Sequence, residues 1–175
     1  GVYLSIIVRP VKPAGEVPQL SLVAGLACAE TIHDLTGLSP AIRWPNDVLI
    51  HGQKVAVILV EASTSDVRRQ TSDHSETRNS PAPAVGPPGG PGKPETRNRY
   101  AVVGIGINVT TDPRTLPDGA GSLAGAGVAC DPYELTGALY GRFRAWYDRW
   151  AADGFEPLRK VLRPWIGLFG QALWA

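Results

Sequence analysis

The stretch RWPNDVLIHGQKVAVILVE, Arg43 to Glu61, decides the fold. Val48-Leu49-Ile50 and the run from Lys54 to Glu61 are mostly apolar, and His51-Gly52 separates them. Glycine at the second place of a two-residue turn supplies the positive φ that a tight hairpin needs. The pattern therefore predicts a β-hairpin, preceded by a short strand from Ala41 to Trp44 that stops at Pro45. Arg43, Asn46, Asp47 and Lys54 crowd this hairpin. Polar groups beside apolar strands cost desolvation unless they are paired. A small charged ligand is one such partner. A turn in which Asn46 and Asp47 bond their own backbone is the structural alternative.

Working outward, Tyr3 to Val8 is an apolar run ended by Arg9-Pro10, which predicts a buried strand. A loop, VKPAGEVP, follows. A helix is predicted over Pro18 to Thr36, with a stripe of Leu22, Leu26, Ala29, Ile32 or His33, and Leu35, stopped by Gly37. Residues 63–99 differ in kind. They contain PAPAVGPPGGPGKP, repeat the tetrapeptide ETRN, and hold too few apolar side chains to offset their ordering entropy, so they predict a disordered insertion. YAVVGIGINV then predicts a strand through Val103, followed by Gly-Ile-Gly-Ile-Asn. A second helix starts at Asp131 as N-cap, with Pro132 at its first position and Glu134 completing an acidic capping box. Leu135, Leu139, Phe143, Trp146 and Trp150 make one apolar face up to Gly154. A short helix is predicted over Glu156 to Val161. The order of elements predicts an α+β fold, a mixed sheet with helices packed on it.

The 175 residues suit one domain, with 43% hydrophobic and 19% charged residues. A net charge of +1 gives no pull toward nucleic acid or anionic lipid, and no apolar run is long enough to span a bilayer. Cys28 and Cys130 have no zinc spacing, and Cys28 reads as a small core residue. His33, His51 and His74 read as surface groups. There is no Walker loop, no G-x-S-x-G elbow and no third glycine to make Gly104 and Gly106 a dinucleotide fingerprint. What remains is a cluster. Lys54 is a mobile ammonium suited to a carboxylate or phosphate. Gly104 and Gly106 allow close backbone approach, and Asn108 offers an amide. Asp47 is suited to an amide, a ribose or Mg²⁺.

RWPNDVLIHGQKVAVILVE resembles the K-W-P-N-D…K-x-A-G-I-L-x-E block of biotin protein ligases, and YAVVGIGINV resembles their V-x-G-I-G-I-N signature. The resemblance implies a sheet-and-helix domain of the class II aminoacyl-tRNA synthetase and biotin synthetase type. It implies a two-step ligase: biotin and ATP give biotinyl-AMP, and a lysine of a carboxylase's biotin carboxyl-carrier domain then takes the biotin. It implies that Lys54 is catalytic. It also implies that Arg43, Trp44, Asn46, Asp47, Lys54, Ala56, Gly104, Gly106 and Asn108 bind biotin or the adenylate, with Asp47 on Mg²⁺. The setting implied is cytoplasmic, with a homodimer left open and neither nucleic acid nor membrane as partner. A lipoate or octanoyl ligase of the same superfamily, or an inactive remnant, is the alternative. This sequence departs from the pattern in three ways. Arg43 stands for the lysine of K-W-P-N-D, Val57 for the glycine of A-G-I-L, and G-R-G-R-x-x-R-x-W does not occur. We therefore expect residues 1–164 to be part of a catalytic domain and 165–175 to begin an SH3-like domain, the whole cut at both ends.

Overall fold

A computed structural model describes residues 1–64 and 99–167. The predicted hairpin is present as β3 (Asp47–Ile50) and β4 (Gln53–Thr64). His51 and Gly52 both take positive φ, 50° and 79°, as the two central residues of a type I′ turn must. β2 (Ala41–Arg43) flanks β3 on one side. On the other side, β4 pairs with β5 (Arg99–Ile107), and β5 pairs with β1 (Val2–Val8). The sheet order is β1-β5-β4-β3-β2, and every pair of neighbouring strands is antiparallel. Among the described residues, parallel pairing is confined to single bridges, Ile42 with Ile166 and Lys54 with Ala120.

Period-two alternation divides the residues between two faces. Val2, Val8, Ile58, Ala101, Val103, Ile105 and Ile107 point into the core. Tyr3, Ile7, Val57 and Leu59 point away from it. β1 is thus not the buried strand that its apolar run predicts. It is an edge strand with one face on the core, and Tyr3 is 87% exposed. A continuous apolar run signals burial of both faces only where both are covered. β5 likewise runs on through the glycines to Ile107 instead of ending at Val103, because β1 and β4 bond it along both edges.

Two helices cover the core face. α1 (Leu20–Thr36) begins two residues later than predicted, and Ala14–Gln19, expected to be mostly loop, forms a 3-10 turn around Pro18. Its buried surface is broader than one stripe: Val23 to Ala29 are all buried, while Leu22 and Leu35 are only partly covered. The reason is that α1 lies between the sheet and α2 (Pro132–Asp153). Gly37 ends α1 in the left-handed conformation, its N–H donating to His33 O at 2.8 Å. Asp131 caps α2 by accepting from the Tyr133 N–H, and Leu135, Leu139, Phe143 and Trp150 are buried as the spacing predicts. Trp146 is half-buried, and its indole donates to Glu30 on α1 at 2.8 Å. Arg142 donates to Glu30 and Asp34 as well, so the α1–α2 seam has a polar margin. α3 (Glu156–Leu162) completes the helices. Among the described residues no helix is long and apolar enough to cross a membrane.

Burial pushes the Cys28 thiol up to about 12, so it stays protonated and shielded. A raised folded-state value gives stability that is whole below the ordinary thiol range and is lost as pH rises toward 12. Cys130 is partly exposed and raised less, first by desolvation and then by Glu134 and Asp131. At pH 8 a disulfide reagent is expected to modify Cys130 in the folded protein and both thiols in denaturant. Fast labelling of Cys28 in the folded protein would contradict its burial.

The β4–β5 ladder extends to Ser63–Tyr100 and Thr64–Arg99. The predicted insertion is therefore too wide by Ser63, Thr64 and Arg99, since ladder bonds pair backbone groups whatever the side chain. Residues 65–98, with His74, lie outside the described residues, as do residues 168–175 of the expected SH3-like start. Thr64 and Arg99 are cross-strand partners, so a four-residue turn can join them. Such a replacement is expected to change unfolding free energy by no more than about 1 kcal/mol, because loop length enters stability only logarithmically. Urea melts of the two forms check this.

Candidate active site

Arg43 and Asp47 are opposite partners across the β2–β3 turn. Arg43 Nε and Nη2 both donate to Asp47 Oδ2, at 3.2 and 2.5 Å. Trp44-Pro45-Asn46 forms the turn, with a cis peptide before Pro45. Two clamps hold it. Ser21 Oγ on α1 donates to Pro45 O at 3.1 Å, and Asn46 Nδ2 donates to Ile58 O at 3.1 Å. The Ile58 N–H returns a bond to Asn46 O at 2.8 Å.

Lys54 reaches the same place through an irregularity. The β3–β4 register runs Val48–Ala56 and then Leu49–Lys54, so Val55 is an extra residue, a β-bulge. Strict alternation from Val57 would send Lys54 toward the core. The bulge instead buries Val55 and Ala56 together and turns Lys54 to the open face. Its Nζ lies 3.8 Å from Asp47 Oδ1. Asp47, 14% exposed at its side chain, therefore sits between the two cations.

A pocket of about 230 Å³ opens beside Lys54, walled by Tyr3, Val57, Gly106, Asn108 and Pro117. A Cβ on Gly106 would lie 3.7 Å from both Tyr3 and Val57, an ordinary contact. The protein's own packing therefore does not demand glycine there, although glycine weakens a central strand. Its effect is a bare backbone floor next to an ammonium group. Gly104 continues that floor.

The other expected site residues lie differently. The Trp44 ring, 63% exposed, faces a separate cavity of about 620 Å³ with Leu22, Phe155 and Ile166, away from the Lys54 pocket. Ala56 is 3% exposed with its side chain toward the core, so only its backbone reaches the pocket. The amides of Asn46 and Asn108 are engaged with backbone carbonyls. Asp47 is ill suited to Mg²⁺, because each of its oxygens already faces a cation. Among the described residues no group of three or more His, Cys, Asp or Glu could hold a metal ion. Tyr3 and the 116–120 loop were not foreseen. For Tyr3 the signal was its phase, since it alternates with Val2 and Leu4 and lies opposite Gly106.

The arrangement joins two cations, a pocket and a bare strand floor on one sheet face, which suits an enzyme that handles an anionic substrate. No family model matches the chain. It is 33% identical over 169 residues to the biotin–[acetyl-CoA-carboxylase] ligase of Paracoccus denitrificans, covering 90% of this chain and 57% of that protein. It is 29% identical over 164 residues to the bifunctional ligase/repressor BirA of Bacillus subtilis (strain 168), covering 91% and 42%. The chain thus spans about half the length of these relatives. The fold agrees: the Aquifex aeolicus biotin protein ligase in complex with biotin and ATP matches with a TM-score of 0.66 at 21% identity, over 94% of this chain and 57% of that one. In sequence and in fold, this chain is similar to the biotin protein ligases.

Proposed function

We propose that this chain is the greater part of a biotin protein ligase's catalytic domain, residues 1–164 with an insertion at 65–98. Its substrates are biotin and ATP, and its partner is the biotin carboxyl-carrier domain of a carboxylase, in the cytoplasm. The observation that carries the reading is Lys54 at the mouth of a pocket floored by Gly106, with Asp47 linking it to Arg43.

In the first step a carboxylate oxygen of biotin attacks the α-phosphorus of ATP. The bond from that phosphorus to the bridging oxygen breaks, and pyrophosphate leaves. In the second step a carrier lysine amine attacks the acyl carbon, loses a proton and releases AMP. The first step brings two anions together. Two unit charges 4 Å apart repel by about 4 kcal/mol at an effective dielectric of 20. Lys54 and Arg43 offset that repulsion, most of all as charge builds on the phosphoryl oxygens. Both cations now meet Asp47, and the Arg43 side chain, 54% exposed, keeps donors on its open side for an incoming anion. Gly104 and Gly106 let the adenylate lie against the strand, and the backbone at Ala56 lines the same pocket. Asn46 and Trp44 serve by shaping the turn that carries Asp47.

The test is adenylate formation by the complete polypeptide that carries this sequence. Biotin with ATP is expected to give biotinyl-AMP by mass spectrometry, and lipoate with ATP none. Lipoyl-AMP as the main product would move the chain to the lipoate ligases. No adenylate from either acid would make it a remnant.

A further inference from the structure

Lys54 stands at the weakest point of its strand. β5 ends at Ile107, opposite Ala56, so β4 has no strand neighbour on that edge at Lys54. On the other edge the bulge at Val55 interrupts the ladder. The backbone of Lys54 is held instead by a loop. Its N–H donates to Gly119 O at 2.8 Å, and its carbonyl accepts from the Gly121 N–H at 2.9 Å. The loop in turn is held by Asn108, whose Nδ2 donates to Gly121 O at 3.0 Å. The Asn108 N–H donates to Val55 O at 2.8 Å, and its carbonyl accepts from the Leu123 N–H at 2.9 Å. The Gly121 residue is therefore gripped at its nitrogen by Lys54 and at its oxygen by Asn108.

We propose that Asn108 is a positioning residue for Lys54, acting through Gly121. Its amide spends its donor on the loop, and the loop supplies the backbone bonds that the missing strand does not. The ammonium group is thereby held over the pocket beside Asp47 before any ligand arrives. Preorganised charge costs no rearrangement when the reaction begins. Gly121 has its own constraint: a Cβ there would lie 2.9 Å from Gln53 Cβ, so any larger residue pushes the loop off β4.

The importance of this for catalysis rests on the role proposed for Lys54, but its test needs neither biotin nor ATP. The folded protein is treated with a small amine-acetylating ester, and the rate at each lysine is read by mass spectrometry. Lys12 and Lys160 serve as internal references for global change. Asn108→Ala and Gly121→Ala are each expected to raise acetylation of Lys54 at least threefold relative to those two, because the side chain is freed from its walled position beside Asp47. An unchanged Lys54 rate in Asn108→Ala overturns the proposal. A rise in Asn108→Ala with none in Gly121→Ala overturns the route through Gly121. Should Asn108→Ala fail to fold, Asn108→Leu, of similar shape and without the donor, decides the same question. Loss of adenylate formation in Lys54→Ala leaves this readout untouched, so the two claims fail separately.

Discussion

Lys54→Ala is expected to lower biotinyl-AMP formation by roughly 10²–10³-fold, the usual loss when one preorganised charge-stabilising group is removed. The side chain is half-exposed on the open face and makes no core contact, so thermal melting should stay within a few degrees of the parent. Lys54→Arg should not restore the rate. A planar fork cannot present a point charge to the same atoms, and Asp47 already binds one such fork from Arg43. The check is single-turnover adenylate formation beside a melt of each variant. Unchanged formation in a folded Lys54→Ala protein would remove Lys54 from the chemistry and leave Arg43 as the cation to examine.

Trp150→Ala should destabilise the fold by about 3–5 kcal/mol, the range for removing a large buried aromatic. A typical domain has only about 5–15 kcal/mol in all. Trp150 is fully buried at the end of α2, its ring 5.8 Å from that of Tyr147. Its indole N–H donates to Gln19 Oε1 at 2.8 Å, which ties α2 to the turn leading into α1. Trp150→Phe should fall between, since it keeps most of the volume but strands the Gln19 amide. Trp44→Ala is the contrast, because an exposed ring forfeits little on removal. Urea unfolding of the three variants is the measurement. A loss under 1 kcal/mol in Trp150→Ala would mean that the α1–α2 seam tolerates a cavity there.

Much of this was legible without coordinates, and the particular residues say why. His51-Gly52 announced its turn because only certain residues take positive φ. Asp131-Pro132 and Gly154 bounded α2 because capping chemistry is local. The polar residues of Arg43 to Lys54 stood out because charged groups beside apolar strands need partners, and Asp47 supplies one to both Arg43 and Lys54. Trp44 was misplaced for an equally clear reason. Its neighbours Arg43 and Asp47 join the ion pairs at Lys54, but strand alternation and the turn place Trp44 in the cavity beside α3. β1 was overburied because an edge position cannot be read from an apolar run.

The chain's own letters thus determined what depends on near neighbours: the hairpin, the helix limits, the α+β class and the identity of the charged cluster. Tertiary structure alone decided which way those charges point. Lys54 faces Asp47 because Val55 is an extra residue against β3, and a bulge shows only when two strands are paired. The loop that holds Lys54 returns more than sixty residues later in the chain, Gly119 and Gly121 meeting it by backbone bonds that carry no mark in the sequence. Backbone pairing across such separations is specified by packing, not by residue type, and so the site became visible only in the folded chain.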